Sequence, residues 1–358
     1  MRGDPGDSGA WVRIAVVTYN SGAHTQACLD ALAAQSDPAF TAIIVDNDSS
    51  DGAIDGLRLP DARFTLVRNT VNNGFAGGSN QGVRQGREPY VMTLNPDTRL
   101  DPDCLARLHQ AARDHAGAAM LSPLLWQEAS PPVLDGAGDT LSLYGIAWRN
   151  GHGRAWPDAT GLEVCEVFGP SGAAALYRRD RFEAVGGFDE SFFCYFEDVD
   201  LALRLRARKD IALLVPDANG IHIGGHSTAG LPGFAIRQTS RNALSSMATN
   251  APLALLPVML ALHVIAHAWF QFRNRRTPVA RFRSDGFRQG LARLPQRLWA
   301  RTRRRPYPIG ASLHVARRLS WTIRDVNARR FVSWPAPQRP GSPPLSGGTT
   351  GRHDRAEP

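Results

Sequence analysis

Cysteine is scarce in this chain. Its four cysteines, Cys28, Cys104, Cys165 and Cys194, stand far apart and form no C-x-x-C pair, so a zinc knuckle is not indicated. Isolated thiols in a chain of this size read as small core residues kept in a reducing compartment. The start, Met-Arg-Gly-Asp-Pro-Gly-Asp-Ser-Gly, carries no apolar core behind a basic residue, and export is therefore not expected. The G-x-G-x-x-G dinucleotide fingerprint is missing, which disfavours a hydride-transfer enzyme. No internal repeat is present. The arginines after residue 270 lack the interleaved aromatics of a recognisable nucleic-acid module, so a nucleic-acid partner is not expected.

What is present fits a globular chain. It has 358 residues, of which 43% are apolar; that is enough for one large domain, or one domain with an appendage. The net charge of +8 gathers as arginine beyond residue 270, a block that attracts anionic lipid or a phosphorylated substrate as readily as nucleic acid. Residues 1–10 read as a loose leader. Val12–Thr18 is a β-branched apolar run of the kind found in buried parallel strands. A helix is expected from about His24 to Ala34, strands at Ala42–Val45, Phe64–Val67 and Tyr90–Leu94, and a helix over Ala76–Gly86. Alternating strands and helices predict an α/β domain with a mainly parallel sheet, in which ligands bind beyond the carboxyl ends of the strands. The stretch 120–165, rich in Gly, Trp and Pro, has no assignable pattern. A helix near Asp198–Arg208 and a strand at Ile211–Val215 follow, and residues 335–358 are expected to be disordered.

Polar clusters stand at the expected strand ends. Asp46-Asn47-Asp48-Ser49-Ser50-Asp51-Gly52 offers carboxylates and amides to a nucleobase imide and a ribose, or else an Asx-rich turn capping the next helix. Asn72-Asn73-Gly74-Phe75-Ala76-Gly77-Gly78-Ser79-Asn80 lets backbone approach a diphosphate at a helix start, or packs under the sheet. Asn95-Pro96-Asp97 supplies one carboxylate where a divalent ion would neutralise a leaving diphosphate. In the run Gly186 to Leu201, three acids fall within Glu197-Asp198-Val199-Asp200 behind five aromatic side chains. Favourable charge at a helix start explains the acids but not the aromatics, which would offer a sugar ring a wall. A carboxylate with apolar neighbours has a raised pKa, useful to a general base.

Taken in order, VVTYNS, VDNDSSDG, NNGFAGGSNQG, LNPDT, RRDRFEAVGGFDESFFCYFEDVDLALRLR and IHIGGHST resemble the family-2 glycosyltransferases of GT-A fold, in the rhamnosyltransferase-like branch, over residues 12–228. The resemblance implies a GT-A fold: a mainly parallel sheet that binds a nucleotide-diphospho-sugar, flanked by helices and followed by a helical membrane-associating extension. The catalytic domain would span 11–235, the apolar then Arg-rich extension 236–334. It further implies that Thr18, Asn20, Asp46, Asp48, Asn72, Gly74, Phe75, Gly77, Gly78, Asn80 and Asn95 bind the donor nucleotide. Asp97, with Asn95 in place of the first acid of the family's DxD-type motif, and His222 would hold Mg²⁺ or Mn²⁺. His226 is a weaker alternative to His222. Asp198, beside Glu197, would be the catalytic base. Gly172, Ala173, Phe193 and Tyr195 would face the donor sugar and acceptor. Lys209-Asp210 departs from the Gly-aromatic pair usual in relatives.

The expected activity is inverting transfer from a nucleotide-diphosphate sugar to a glycan or polyprenyl-lipid-linked acceptor hydroxyl, in the synthesis of cell-envelope polysaccharide. dTDP-rhamnose is the first donor implied; galactofuranosyl, mannosyl or glucosyl transfer from UDP- or GDP-sugars are alternatives, and a non-catalytic nucleotide-sugar binding protein is the alternative of another class. Ala251–Phe270 has the length of a bilayer span, but Pro252, Pro257, His263 and His267 interrupt it. A single span would also separate a cytoplasmic catalytic domain from an Arg-rich region that belongs on the same side. An interfacial helix or re-entrant hairpin on the anionic inner face of the cell membrane satisfies both, whereas the plainer expectation is a core helix packed on the catalytic domain.

Overall fold

The computed structural model describes residues 9–84, 86–155, 162–224, 230–304, 307–308 and 310–337. His226, most of the expected leader and most of the tail lie outside them. Strand β1 (Val12–Thr18) is the hub of the sheet. It pairs in parallel with β2 (Phe40–Asp46) on one side and β4 (Tyr90–Leu94) on the other, and β3 (Phe64–Arg68) continues beyond β2. Side chains alternate across β1: Val12, Ile14 and Val16 face one core with Leu29, Leu32, Leu105 and Leu108, while Ala15 faces the other with Ala76 and Val83. Thus α1 (His24–Ala33) and α3 (Cys104–Asp114) cover one face, and α2 (Gly74–Arg84) covers the opposite one. Each fully buried Leu or Ile in these layers contributes roughly 1.5–3 kcal/mol.

The sheet then changes direction. β11 (Ala174–Arg178) runs antiparallel between β4 and β6 (Ala118–Trp126), and β6 is parallel to β12 (Ile211–His222). β12 is far longer than Ile211–Val215, because a bulge between Val215 and Asn219 lets it continue to His222 and pair there with β5 (Thr98–Leu100). The Gly/Trp/Pro-rich stretch without a sequence pattern folds into short strands: β7 (Leu134–Gly136) on β6, and the hairpin of β8 (Asp139–Leu141) with β9 (Ala147–Arg149). β10 (Cys165–Val167) joins β12, and β13 (Trp334–Pro335) joins β10. Strands of three residues carry too few side chains for a period of two to be visible.

Helix α4 (Arg179–Ala184), a 3-10 turn at Glu190–Phe192 and α5 (Glu197–Ala207) follow β11. Directly after α5, Lys209 takes the left-handed conformation with φ 71°. That is a helix-ending position glycine fills most easily, which accounts for the glycine usual in relatives; nothing in the structure explains the lysine here. The C-terminal part is helical: α6 (Phe234–Asn250), α7 (Leu256–Asn274), α8 (Pro278–Thr302), α9 (Ala311–Ala316) and α10 (Ile323–Ala328). α6 is largely buried, whereas α7 buries only Met259, His263 and Ala266. The plainer expectation of a core helix holds for one face of α7, where Met259 joins the core and Leu256 and Leu260 pack against it, while the other face is exposed. No helix among the described residues is long and apolar enough to cross a membrane.

Candidate active site

The strand ends are laced together by their polar loops. Thr18 and Asp46 are neighbours in the β1–β2 register. The Thr18 hydroxyl lies 3.0 Å from that of Thr25, and the Asp46 carboxylate accepts the Ser49 N–H at 3.1 Å. Asn20 accepts the Ser50 N–H at 2.7 Å and donates its own N–H to the Ser49 hydroxyl at 3.0 Å. Asp48 is exposed, in the left-handed conformation with φ 67°. Asn47, not singled out by the sequence, is buried; it donates to the Gly74 carbonyl at 2.9 Å and accepts from Asn69 at 3.0 Å. It staples the loop after β2 to the head of α2.

At that head, Asn72 accepts the Gly74 N–H at 2.8 Å, and Gly74 has φ 70°. A Cβ on Gly74 would stand 2.3 Å from the Phe193 carbonyl oxygen, so only glycine fits there. The Ala76 N–H donates to the same carbonyl at 3.1 Å, so one of the helix-start donors is already engaged by protein. Gly77 approaches Asn73, and Gly78 packs on Val17 of β1. Asn80 clamps the turn after α4: it donates to the Phe188 carbonyl at 2.9 Å and to Glu190 at 3.0 Å, and accepts the Phe188 N–H at 3.0 Å. The glycine-rich motif thus supplies both a helix head open at Asn72 and Phe75 and a helix flank packed against the sheet.

Strand pairing also unites residues 125 positions apart. Because β5 and β12 register Thr98 with His222, the Asp97 carboxylate lies 3.3 Å from His222 Nε2, and Asn95 Nδ2 lies 3.2 Å from the same atom. The other ring nitrogen, Nδ1, lies 2.8 Å from the Asp135 carboxylate of β7. Asp135 in turn pairs with Arg149 of β9 and with His152. Burial disfavours the charged imidazolium, but the hydrogen bonds and charges of Asp135 and Asp97 outweigh it and raise the His222 pKa to about 9. Burial alone would raise Asp97; His222 and the Gly224 N–H hold it below its usual value. Asp135, Arg149 and the buried Asp139 were not foreseen. The one hint of them is the acid spacing in Leu134-Asp135-Gly136-Ala137-Gly138-Asp139.

The acidic pair opens α5. Asp198 accepts the Gly172 N–H at 2.7 Å and the Val199 N–H at 2.8 Å, and it keeps partial access to solvent. Burial raises its pKa; the Gly172 and Val199 N–H groups and the charge of Arg149 limit the rise. Glu197 is 6% exposed, its Oε2 has no hydrogen-bond partner among the described residues, and burial with the charge of Asp198 pushes its pKa well up. The next residue after Gly172, Ala173, accepts the Asn95 N–H at 2.9 Å and the Thr98 hydroxyl at 3.3 Å. Gly172 and Ala173 therefore tie Asp198 to the Asn95–Asp97 loop. Phe75 lies over Gly172. Of the aromatic run, Phe188, Phe192 and Phe196 are core, while Phe193 and Tyr195 stay half-buried.

Carboxylates at the ends of a parallel half-sheet, a helix head, and an imidazole facing an acid fit a site for a phosphorylated donor. Residues 13–132 match the model of a family described as Glycosyl transferase family 2, and residues 90–301 that of Glycosyl transferase family group 2. The chain belongs to glycosyltransferase family 2. This glycosyltransferase is 31% identical over 238 residues to the N-acetylglucosaminyl-diphospho-decaprenol L-rhamnosyltransferase of Mycobacterium tuberculosis, a match covering 60% of this chain and 76% of the relative. It is 24% identical over 173 residues to the low-salt glycan biosynthesis hexosyltransferase Agl10 of Haloferax volcanii, covering 46% of this chain and 52% of that one. Among solved structures, GalNAc-T7 with UDP, GalNAc and Mn²⁺ superposes with a TM-score of 0.55 at 13% identity, over 66% of this chain and 48% of that one. TarS of S. aureus superposes with a TM-score of 0.50 at 15% identity, over 72% and 43% of the two chains. The fold of this glycosyltransferase is GT-A.

Among the described residues, no three His, Cys, Asp or Glu side chains converge to hold a metal by protein alone. Asp97 and His222 still suit a divalent ion as a pair. They are buried and adjacent, and His222 gives its second ring nitrogen to a carboxylate, the arrangement that orients metal-bound histidines; a metal would take the place of the Nε2 proton that now faces Asp97.

Proposed function

We propose that this glycosyltransferase moves a sugar, with inversion, from a nucleoside-diphosphate sugar to a hydroxyl of a lipid-linked glycan acceptor. The observation that carries this reading is Asp198: a carboxylate oriented by the Gly172 N–H, raised in pKa by burial, yet reachable by solvent. Asp198 accepts the proton of the acceptor hydroxyl as that oxygen bonds to the anomeric carbon. The bond from that carbon to the diphosphate oxygen breaks on the opposite face, and the nucleoside diphosphate leaves with the electron pair. Asp97 and His222 would hold Mg²⁺ or Mn²⁺, which neutralises diphosphate charge when bound. Arg149, paired with Asp135 beneath His222, adds fixed positive charge nearby. Glu197, buried and with its pKa pushed well up, is the less accessible of the two acids.

The loops after β1 and β2, from Thr18 and Asn20 to Asp46 and Asp48, would bind base and ribose, with Asn72, Gly74 and Phe75 at the diphosphate side. Phe193 and Tyr195 would flank the sugar and acceptor. The relative from M. tuberculosis, named for a decaprenol-linked acceptor and rhamnosyl transfer, supports dTDP-rhamnose as first donor and cell-envelope polysaccharide as product. UDP- and GDP-sugars are the competing donors. The protein would work on the inner face of the cell membrane, held by its C-terminal helices. The deciding experiment is thermal stabilisation by a panel of sugar nucleotides with Mn²⁺. Stabilisation by one donor, abolished by chelation and by Asp97→Ala, is the expected result; indifference of the protein to every donor with metal present would overturn the donor-site reading.

A further inference from the structure

A cavity of about 580 Å³ opens between α5, the turn after α4 and the side chains of Arg304 and Tyr307 beyond α8. Its wall holds Arg84, Arg204, Arg208, Arg304 and Tyr307, with Asp189 and Glu190. The acids are already engaged. Asp189 takes Arg297 at 2.9 Å and Arg304 at 3.3 Å. Glu190 takes Arg84 and, at 3.0 Å, the Asn80 amide.

Arg204 is 3% exposed. Its Nε meets Asp200 at 2.8 Å, and its Nη1 meets the carbonyls of Val185 at 2.9 Å and Gly187 at 2.7 Å. Its Nη2 is buried with no partner among the described residues. A guanidinium edge left dry and unpaired is costly, and Arg204 is part of the wall of a space large enough for a small ligand. Arg208, half-buried one turn further on, forms no ion pair among the described residues. Tyr307 adds a hydroxyl that burial keeps protonated, its pKa pushed up to about 12. The surplus of donors without acceptors is that of an anion site, and arginine forks suit the several oxygens of a phosphate better than a single carboxylate.

We propose that this cavity binds a phosphate-class anion, a diphosphate or a phosphomonoester headgroup, at a site separate from the transfer centre. Along α5, Arg204 and Arg208 lie about 9 Å and 15 Å beyond Asp198 at the helical rise per residue. Between them and the transfer centre stands Phe188, whose ring packs edge-on to Phe75 at 5.9 Å. The mouth adjoins the end of α8, where Leu298 and Trp299 are exposed and Arg303 lies over the Trp299 ring at 3.6 Å. Both a soluble diphosphate and a lipid headgroup can therefore reach it.

The test is calorimetric titration of the full chain with inorganic pyrophosphate in excess chelator, so that arginine binding is read apart from any metal-supported donor site. Binding to the native chain, weakened about tenfold or more in Arg208→Ala, is expected, with an unchanged melting temperature in the absence of ligand. Flotation with phosphatidylcholine vesicles, plain or doped with phosphatidic acid, separates the two sources. In a Trp269→Ser, Phe272→Ser background, which removes the exposed rings of α7, further loss of doped-vesicle binding on adding Arg208→Ala assigns a headgroup; no further loss, with pyrophosphate binding lost, assigns a soluble diphosphate. No pyrophosphate binding in chelator, or undiminished binding in Arg208→Ala, would overturn the site. Metal-dependent stabilisation by a sugar nucleotide should persist in Arg208→Ala, which keeps this outcome distinct from that of the donor site.

Discussion

Glu197 and Asp198 are chain neighbours with different access to water, and the difference divides their work. Asp198→Asn preserves shape and one of the two backbone hydrogen bonds, since Gly172 and Val199 donate to different carboxylate oxygens and an amide keeps only one acceptor, and it removes the base; transfer should fall roughly 10²-fold or more, with donor-induced stabilisation retained. Native-like turnover in that variant would exclude Asp198 as the base. Asp97, His222 and Asp198 could be named because they occupy motifs of the family resemblance; by residue type alone Asp97 reads as a cap at a strand end. Asp135, Arg149 and Asp139 were not legible. They lie on three-residue strands, and only the β6–β7 and β8–β9 pairings bring Asp135 to His222 and Asp139 opposite Arg149. Asn47 was hidden for another reason: between Asp46 and Asp48 it looks like one more turn residue, yet it faces inward.

The segment joining the 3-10 turn to α5 is conformationally unusual, since Phe193, Tyr195 and Phe196 all have positive φ, of 66°, 66° and 76°. Such backbone persists only where its surroundings hold it. Here the holder is the fully buried Asn242 of α6, whose single amide nitrogen reaches the carbonyls of Phe192 at 3.0 Å, Cys194 at 3.1 Å and Tyr195 at 2.7 Å. Asn242→Ala should cost about 1–3 kcal/mol of stability and lower kcat more than it raises KM, because the start of α5 loses its alignment; steady-state kinetics beside a melting curve checks both. Helix α7 has a seat of its own: His263 donates through Nδ1 to the Tyr144 carbonyl at 2.8 Å and stacks on Phe287. Burial first, then the charges of His267 and Arg283, lower its pKa from 6.5 to about 4. The fold favours the neutral ring, so this stability is complete above the ordinary pKa of 6.5 and is lost as pH falls toward 4. The loss amounts to about 3 kcal/mol, and denaturation across that window should flatten in His263→Gln.

At the scale of the whole chain, the N-terminal strands and helices were readable to within a few residues, since parallel strands buried on both faces are continuous apolar runs. The bulge that extends β12, the hairpin of β8 and β9, and the burial of α6 were not, because each depends on partners far away in sequence. The face of α7 was half visible: its apolar length could be counted, but not which side turns outward. Val258, Val264, Ile265, Trp269 and Phe272 are exposed there, with Arg273 over the Trp269 ring at 5.3 Å and Arg275 over the Phe272 ring at 4.5 Å. Rings that sink into a headgroup layer beneath arginines should bind anionic vesicles in a salt-sensitive way. Flotation should show binding reduced in a Trp269→Ser, Phe272→Ser double variant with the fold intact, and equal flotation of both proteins would remove α7 from the membrane. The amide of Asn242 has one more consequence, for anyone recombining such enzymes. A seam cut at residue 235 would strand the catalytic half without its latch, so a chimera that exchanges the C-terminal helices should be joined between Asn250 and Leu256, leaving α6 with the half it serves.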